Sequence, residues 1–249
     1  MFRNIPPITK NLLIINVLFY IVSLYFLKIG TNLIPVLGTH YFGSPLFEPY
    51  QIITHMFMHD LNSFMHILFN MLLLVMFGGH LERVWGSKRY FIFYIACGLG
   101  AFVLYNSIGA WQIIELKNQL ISLGYNMSDL DYKIAVNNLT TGDLISLKDR
   151  GLIENYWTLA NSSLVGASGA IFGLLAGFAL LFPNTELMLI FPPIPVKAKY
   201  LIGGYLAFEI YNSIFNSGDT IAHLAHVGGA IVGGIFIFIW KKKDRQNFY

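Results

Sequence analysis

The sequence predicts an all-α polytopic membrane protein, and three observations carry that prediction. Of its 249 residues, 55% are hydrophobic and only 12% charged, against about 25% charged in an ordinary soluble domain. Mean hydropathy is +0.59. The apolar residues fall into runs at Leu12–Ile29, Phe64–Leu81, Tyr90–Gly109, Ser168–Phe182, Tyr200–Phe215 and Thr220–Trp240. Most of these approach the ~20 residues that a spanning helix needs. The length suits one bundle of six spans, a single membrane domain over residues 1–249, with an enlarged third loop at residues 110–165.

The first run is long enough to span a bilayer and no small-residue cleavage site follows it, so it reads as a retained helix. The fourth run is the shortest and suggests a helix that starts inside the membrane. Non-helical backbone at that depth is tolerated only where it lines a cavity or is buried in protein. The sole cysteine, Cys97, allows no intramolecular disulfide.

Orientation follows the basic residues of the short loops. Arg3, Lys10, Arg83, Lys88, Arg89, Lys197, Lys199, Lys241, Lys242, Lys243 and Arg245 all fall on one side of a six-span topology. The opposite side carries only Lys117, Lys133, Lys148 and Arg150, all in the third loop, while Lys28 can snorkel from a helix end. Both ends of the chain are therefore expected in the cytoplasm. In the third loop a stripe of Trp111, Ile114 and Ile121 ends at Gly124. Ser128 with Asp131 resembles a capping box, and Gly151 suits a C-cap. Two or three short amphipathic helices on the outer face are expected there.

Three motifs carry chemistry. Gly166-Ala167-Ser168-Gly169 opens the short fourth run. A serine between small residues at a helix head leaves room for a substrate backbone, and the N–H groups of a helix N-terminus can hold a developing oxyanion. Taken alone, the motif reads more simply as helix packing. Ala225-His226-Val227-Gly228-Gly229 lies early in the last run, with Gly233 beyond it. Ionisable residues inside spans are costly and tend to be functional, and a desolvated histidine stays neutral and can act as a base. Gly229 and Gly233 form a small-residue stripe that matches Gly169, Gly173 and Gly177, so the two helices can approach closely. His66 and Asn70, an i, i+4 pair on one helix face, supply hydrogen-bond donors at the same depth. His55 and His59 have zinc-like spacing but lack the glutamate of a His-Glu-x-x-His site.

Together these motifs resemble the rhomboid family of intramembrane serine proteases, whose HxxxN, GxSG and AHxxGxxxG patterns occur here in that order. Thr54–His59 and Gly78–Gly86 carry further family-like text. The resemblance implies a rhomboid-like bundle with Ser168 as nucleophile and His226 as general base. It also implies an oxyanion hole of His66, Asn70 and the Ser168 backbone N–H. Phe172, four residues after the serine, should stack on the histidine, with Gly166, Gly169, Gly229 and Gly233 in support. No acidic third member is expected. Asp219 lies seven residues before His226, nearly two helical turns away and badly placed to orient the ring. Glu209, within the fifth run, fits a structural or a functional role equally. Where the family often has Trp-Arg in its first loop, Tyr50-Gln51 stands here, so that loop's anchoring is expected to differ.

The implied function is a serine endopeptidase that cuts transmembrane segments of other membrane proteins near the outer face, after a small residue. No cofactor, metal or nucleic acid is implied. The alternative is a catalytically inactive rhomboid-like protein that binds transmembrane clients. The expected location is a bacterial cytoplasmic (inner) membrane.

Overall fold

The computed structural model describes residues 4–136, 149–189, 192–215 and 220–243. All six apolar runs are helical: Pro7–Lys28, Phe64–Trp85, Ser87–Ser122, Ser168–Leu181, Ala198–Phe215 and Thr220–Lys243. By length and composition, Pro7–Lys28, Phe64–Trp85, Ser87–Ser122 and His223–Lys243 can each cross a membrane. The protein is an integral membrane protein, and the helices are consistent with six spans. Asp219 lies outside the described residues.

The helix Ser168–Leu181, here the serine helix, occupies the centre. It is apolar on every side, and a helix without a polar face must be buried. Gly169 through Phe178 are all buried. At 14 residues it is well short of the ~20 that cross the hydrocarbon core. One end therefore lies below the membrane surface. The helices Ser87–Ser122 and Thr220–Lys243 pack against it, and Pro7–Lys28 lies at the periphery with Leu18, Ile21 and Tyr25 exposed.

The helix Phe64–Trp85 is interrupted by a wide π-turn at Leu74–Gly78, and beyond it Glu82 meets the start of the first helix. Glu82 accepts hydrogen bonds from the backbone N–H groups of Ile8 (2.9 Å) and Thr9 (2.8 Å). It also takes the hydroxyls of Thr9 and Ser87. A carboxylate at a helix N-terminus satisfies orphan N–H groups and opposes the helix dipole. The family-like segment Gly78–Gly86 thus has a structural role at this helix start.

The third apolar run does not stop at Gly109. It continues unbroken to Ser122 as a helix of 36 residues. A spanning helix needs only ~20 residues, so nearly half of this one lies beyond the apolar core. Gly124, at φ +90°, follows this helix in the left-handed conformation that glycine adopts most easily. Two shorter helices, Met127–Ala135 and Arg150–Asn161, pack on the projecting half. Several expectations for this loop need correction. Trp111, Ile114 and Ile121 face outward, whereas Ile113 and Leu120 form the buried side. Asn126, not Ser128, caps the first short helix, its side chain accepting the Ser128 N–H. Asp131 does not cap but joins three helices, through Lys117 (2.9 Å) and the Tyr156 hydroxyl. Gly151 lies in the first turn of Arg150–Asn161 and caps no C-terminus. A two-stranded antiparallel hairpin, Glu186–Met188 with Pro195–Lys197, was not foreseen.

The first loop is anchored by Gln51, which is 1% exposed. Its Oε1 accepts the N–H groups of His40 (3.2 Å) and Glu48 (3.1 Å), and its Nε2 donates to the carbonyls of Val36 (3.2 Å) and Leu46 (3.1 Å). One amide group thereby ties together the backbone of residues 36–48. The loop is bound in turn to the segment leading into Ser168. Thr39 and Leu164 exchange two backbone hydrogen bonds (3.0 and 2.8 Å), and the His40 Nδ1 lies 3.0 Å from the Ser162 carbonyl. Replacing Gln51 by leucine strands several buried polar groups at about 1–3 kcal/mol each. We expect Gln51→Leu to lower the thermal unfolding midpoint in detergent by roughly 5–10 °C. An unchanged midpoint would show that the loop is held elsewhere.

Candidate active site

Ser168 is the first residue of its helix, and Gly166 precedes it at φ +129°. That backbone conformation disfavours any side chain, and the Gly166 N–H is held by the His55 carbonyl at 2.9 Å. A Cβ on Gly166 would stand 3.2 Å from His66 Nε2 and 3.3 Å from Ser168 Oγ. The serine hydroxyl and the His66 ring thus open onto the same small space, which the missing side chain leaves vacant.

His226 reaches this space from the helix Thr220–Lys243. Its Nε2 lies 2.9 Å from Ser168 Oγ. Phe172, one turn below the serine, stacks on the imidazole with centroids 4.1 Å apart and planes inclined by 11°. The approach depends on glycine. A Cβ at Gly229 would overlap the Gly169 carbonyl, and one at Gly233 would stand 2.7 Å from the Gly173 oxygen. The glycines of the serine helix have a further neighbour. Side chains at Gly169 and Gly173 would overlap Ala101 and Cys97 of the long helix, so these glycines admit a third helix as well, and one on Gly173 would also stand 3.1 Å from the Gly229 carbonyl of the histidine helix.

On the other ring nitrogen the structure departs from the expected pairing without an acid. Glu209 Oε2 lies 2.8 Å from His226 Nδ1 and 2.6 Å from His223 Nδ1. Glu209 is 2% exposed and comes from the neighbouring helix Ala198–Phe215. The sequence singles out Glu209 within its run but does not pair it with His226, because Asp219 is the acid weighed as a partner for that ring. The signal was there, since a carboxylate inside an apolar span requires a partner. Among the described residues, these three are the group able to offer a metal ion His and Glu ligands together. Their spacings are those of hydrogen bonds. Two ligands of one tetrahedral zinc, each ~2.0–2.1 Å from the ion, stand roughly 3.3 Å apart.

The His66 ring has its tautomer set from outside. The Asp60 backbone N–H donates to His66 Nδ1 at 3.1 Å, so Nδ1 must carry a lone pair and Nε2 a proton. The donor that results points toward the space beside Ser168. Asn70 is buried one turn further along the same helix and spends one amide N–H on the His66 carbonyl, at 2.7 Å. Its second N–H is what remains for other partners. Behind them, burial pushes His55 and His59 down to about 4, so both are neutral at neutral pH. Gln51, likewise missed as a structural anchor, holds the loop that carries these two histidines.

The profile of the Rhomboid domain matches residues 46–124 and 147–243. A stretch of 121 residues is 29% identical to the Saccharomyces cerevisiae protein described as Rhomboid protein 1, mitochondrial. That match covers 47% of this chain and spans a third (33%) of the yeast protein's length. The profile takes in the His66 and Asn70 helix, the serine helix and the histidine helix, well over half of the sequence, and the chain therefore belongs to the rhomboid family.

Proposed function

We propose that this protein is an intramembrane serine endopeptidase with Ser168 as nucleophile and His226 as general base. The observation that carries the proposal is the 2.9 Å contact between Ser168 Oγ and His226 Nε2, at the head of a helix too short to cross the membrane. Nucleophile and base within hydrogen-bond reach, the base oriented by further groups, is the general signature of an activated serine. The other reading of the family, an inactive client-binding relative, has no use for a paired serine and histidine.

In the proposed reaction Ser168 Oγ attacks the carbonyl carbon of a locally unwound substrate helix while its proton passes to His226 Nε2. The carbonyl oxygen becomes an oxyanion, stabilised by the His66 Nε2–H, the remaining N–H of Asn70 and the Ser168 backbone N–H. His226 then delivers its proton to the leaving amine as the C–N bond breaks. Water, deprotonated by the same nitrogen, hydrolyses the acyl-serine and restores Ser168. Phe172 limits rotation of the imidazole between these steps, and the vacancy at Gly166 leaves room for the substrate chain.

The distribution of basic residues supports cytoplasmic chain ends, as expected in a bacterial inner membrane, with the loop that holds Met127–Ala135 and Arg150–Asn161 outside. The active site would then open toward that outer face. Cysteine mapping in a Cys97→Ala background tests this. A cysteine at exposed Tyr132 should react with a membrane-impermeant maleimide added outside and one at Lys241 should not; the reverse pattern would invert the topology.

Cleavage of a single-span substrate by the purified protein tests the chemistry. Ser168→Ala and His226→Ala should each abolish turnover, and His223→Ala should only reduce it. His66→Ala or Asn70→Ala should lower kcat by up to roughly 100- to 1,000-fold, as loss of one oxyanion donor does elsewhere, with little change in KM. Normal turnover by Ser168→Ala would refute the assignment of the nucleophile. A raised KM with kcat intact in His66→Ala would make that residue a substrate contact instead.

A further inference from the structure

Glu209 has no part in the chemistry proposed above, yet its position is closely defined. It is a buried carboxylate in an apolar helix, with one oxygen facing two imidazole nitrogens. An uncompensated charge at that depth is costly, and such residues pair with one another or with donors. Both contacts are satisfied at once when Glu209 is ionised and each histidine carries its ring proton on Nδ1. A proton residing on Glu209 Oε2 could serve only one of the two.

We propose that Glu209 is the positioning residue of this active site. It holds His226 as the Nδ1–H tautomer, which leaves the Nε2 lone pair directed at Ser168 Oγ, and it stands as counter-charge to the imidazolium that forms when the serine proton arrives. His223, donating to the same oxygen, fixes the carboxylate from its far side. The inference rests on the reading of Ser168 and His226 as nucleophile and base, and it turns their pair into a chain running from Ser168 through His226 to Glu209. No proton passes to Glu209: the His226 Nδ1–H stays on the ring throughout, and only the Nε2 proton is taken up and released.

Several observations agree with this assignment. The face of the imidazole is occupied by Phe172, whose ring gives a van der Waals wall but no hydrogen bond to choose a tautomer. Among the described residues, Tyr205 faces the same carboxylate and packs on Phe172 at 5.0 Å, and His66 lies on the substrate side. The hydrogen bond at His226 Nδ1 goes to the Glu209 carboxylate, so Glu209 decides which nitrogen bears the proton. Carboxylate-to-amide replacement in a soluble serine protease lowers kcat by roughly 10,000-fold through the wrong tautomer, which sets the scale of what tautomer control can contribute.

The test compares wild type with Glu209→Leu and Glu209→Gln. Leucine removes the acceptor and the charge; glutamine removes the charge and brings an NH2 donor that can hold the imidazole in the wrong tautomer. We expect kcat to fall by roughly 100-fold or more in both Glu209→Leu and Glu209→Gln, with KM within about threefold. If Glu209 served packing alone, the near-isosteric amide would be tolerated, so near wild-type kcat in Glu209→Gln would overturn the proposal. A second readout needs no variant at residue 209. Nitrogen-15 NMR of histidine-labelled wild-type protein, with the His226 signals assigned by their loss in His226→Ala, distinguishes the Nδ1–H from the Nε2–H form. The proposal predicts Nδ1–H, and a predominant Nε2–H form would overturn it even if Glu209→Leu failed to fold. Full activity in Glu209→Leu with Ser168→Ala inactive would remove Glu209 while leaving the serine–histidine pair in place. Activity in Ser168→Ala would instead refute the reading on which the inference rests.

Discussion

Ser168 and His226 stand on different helices, 58 residues apart in sequence, yet their side-chain atoms meet at 2.9 Å. Two helices separated by ordinary side chains keep their axes roughly 8–10 Å apart; a contact between a serine and a histidine at their facing surfaces favours a closer approach. Gly229 and Gly233 permit it by letting the backbone of the histidine helix lie on the carbonyls of Gly169 and Gly173. Lipid supplies no hydrophobic force between helices, so small residues and close packing must hold such a pair together. On its other side the serine helix accepts Cys97 and Ala101 of the long helix into the hollows at Gly173 and Gly169. The central helix is therefore gripped between two neighbours, and a methyl group at Gly229 or Gly233 would push the histidine helix off the backbone of the serine helix.

Around that contact, the protein solves a second problem, the placement of polar groups where lipid offers them no partner. Backbone that is not helical can exist at membrane depth only if it is buried in protein or lines a cavity. The segment before Ser168 meets this condition by bonding to the first loop, through Thr39, His55 and the carbonyl of Ser162. That loop depends in turn on the amide of Gln51. The same economy governs the site: His66 takes its tautomer from the Asp60 backbone, and Glu209 is covered by two imidazoles. Side chains that present donors and acceptors to a reacting group work best when their own rotamers and protons are fixed by such surroundings.

The sequence made the helices legible wherever apolar residues ran long enough, and the glycine stripes together with Ser168 and His226 announced a close helix pair. Family resemblance, not spacing, gave Phe172 its place on the imidazole. What escaped detection has physical reasons. Glu209 is tied to His226 across two helices, 17 residues away, and single-helix periodicity is blind to such pairs. Gln51 looks like an ordinary polar loop residue, because hydrogen bonds from a side chain to backbone leave no signature in side-chain pattern. The π-turn at Leu74–Gly78 changes the helix register without altering hydropathy. The projecting half of Ser87–Ser122 was cut short because hydropathy falls where a helix leaves the membrane, even though the helix itself does not end.

The central claim is that His226 activates the Ser168 hydroxyl inside the membrane domain. Covalent capture tests it most directly: the purified wild-type protein is treated with a fluorophosphonate and the adduct located by peptide mass spectrometry. The account predicts a single phosphonylated residue, Ser168, with labelling lost in His226→Ala. An adduct on Ser162 or Ser163, or undiminished labelling of Ser168 without His226, would contradict it.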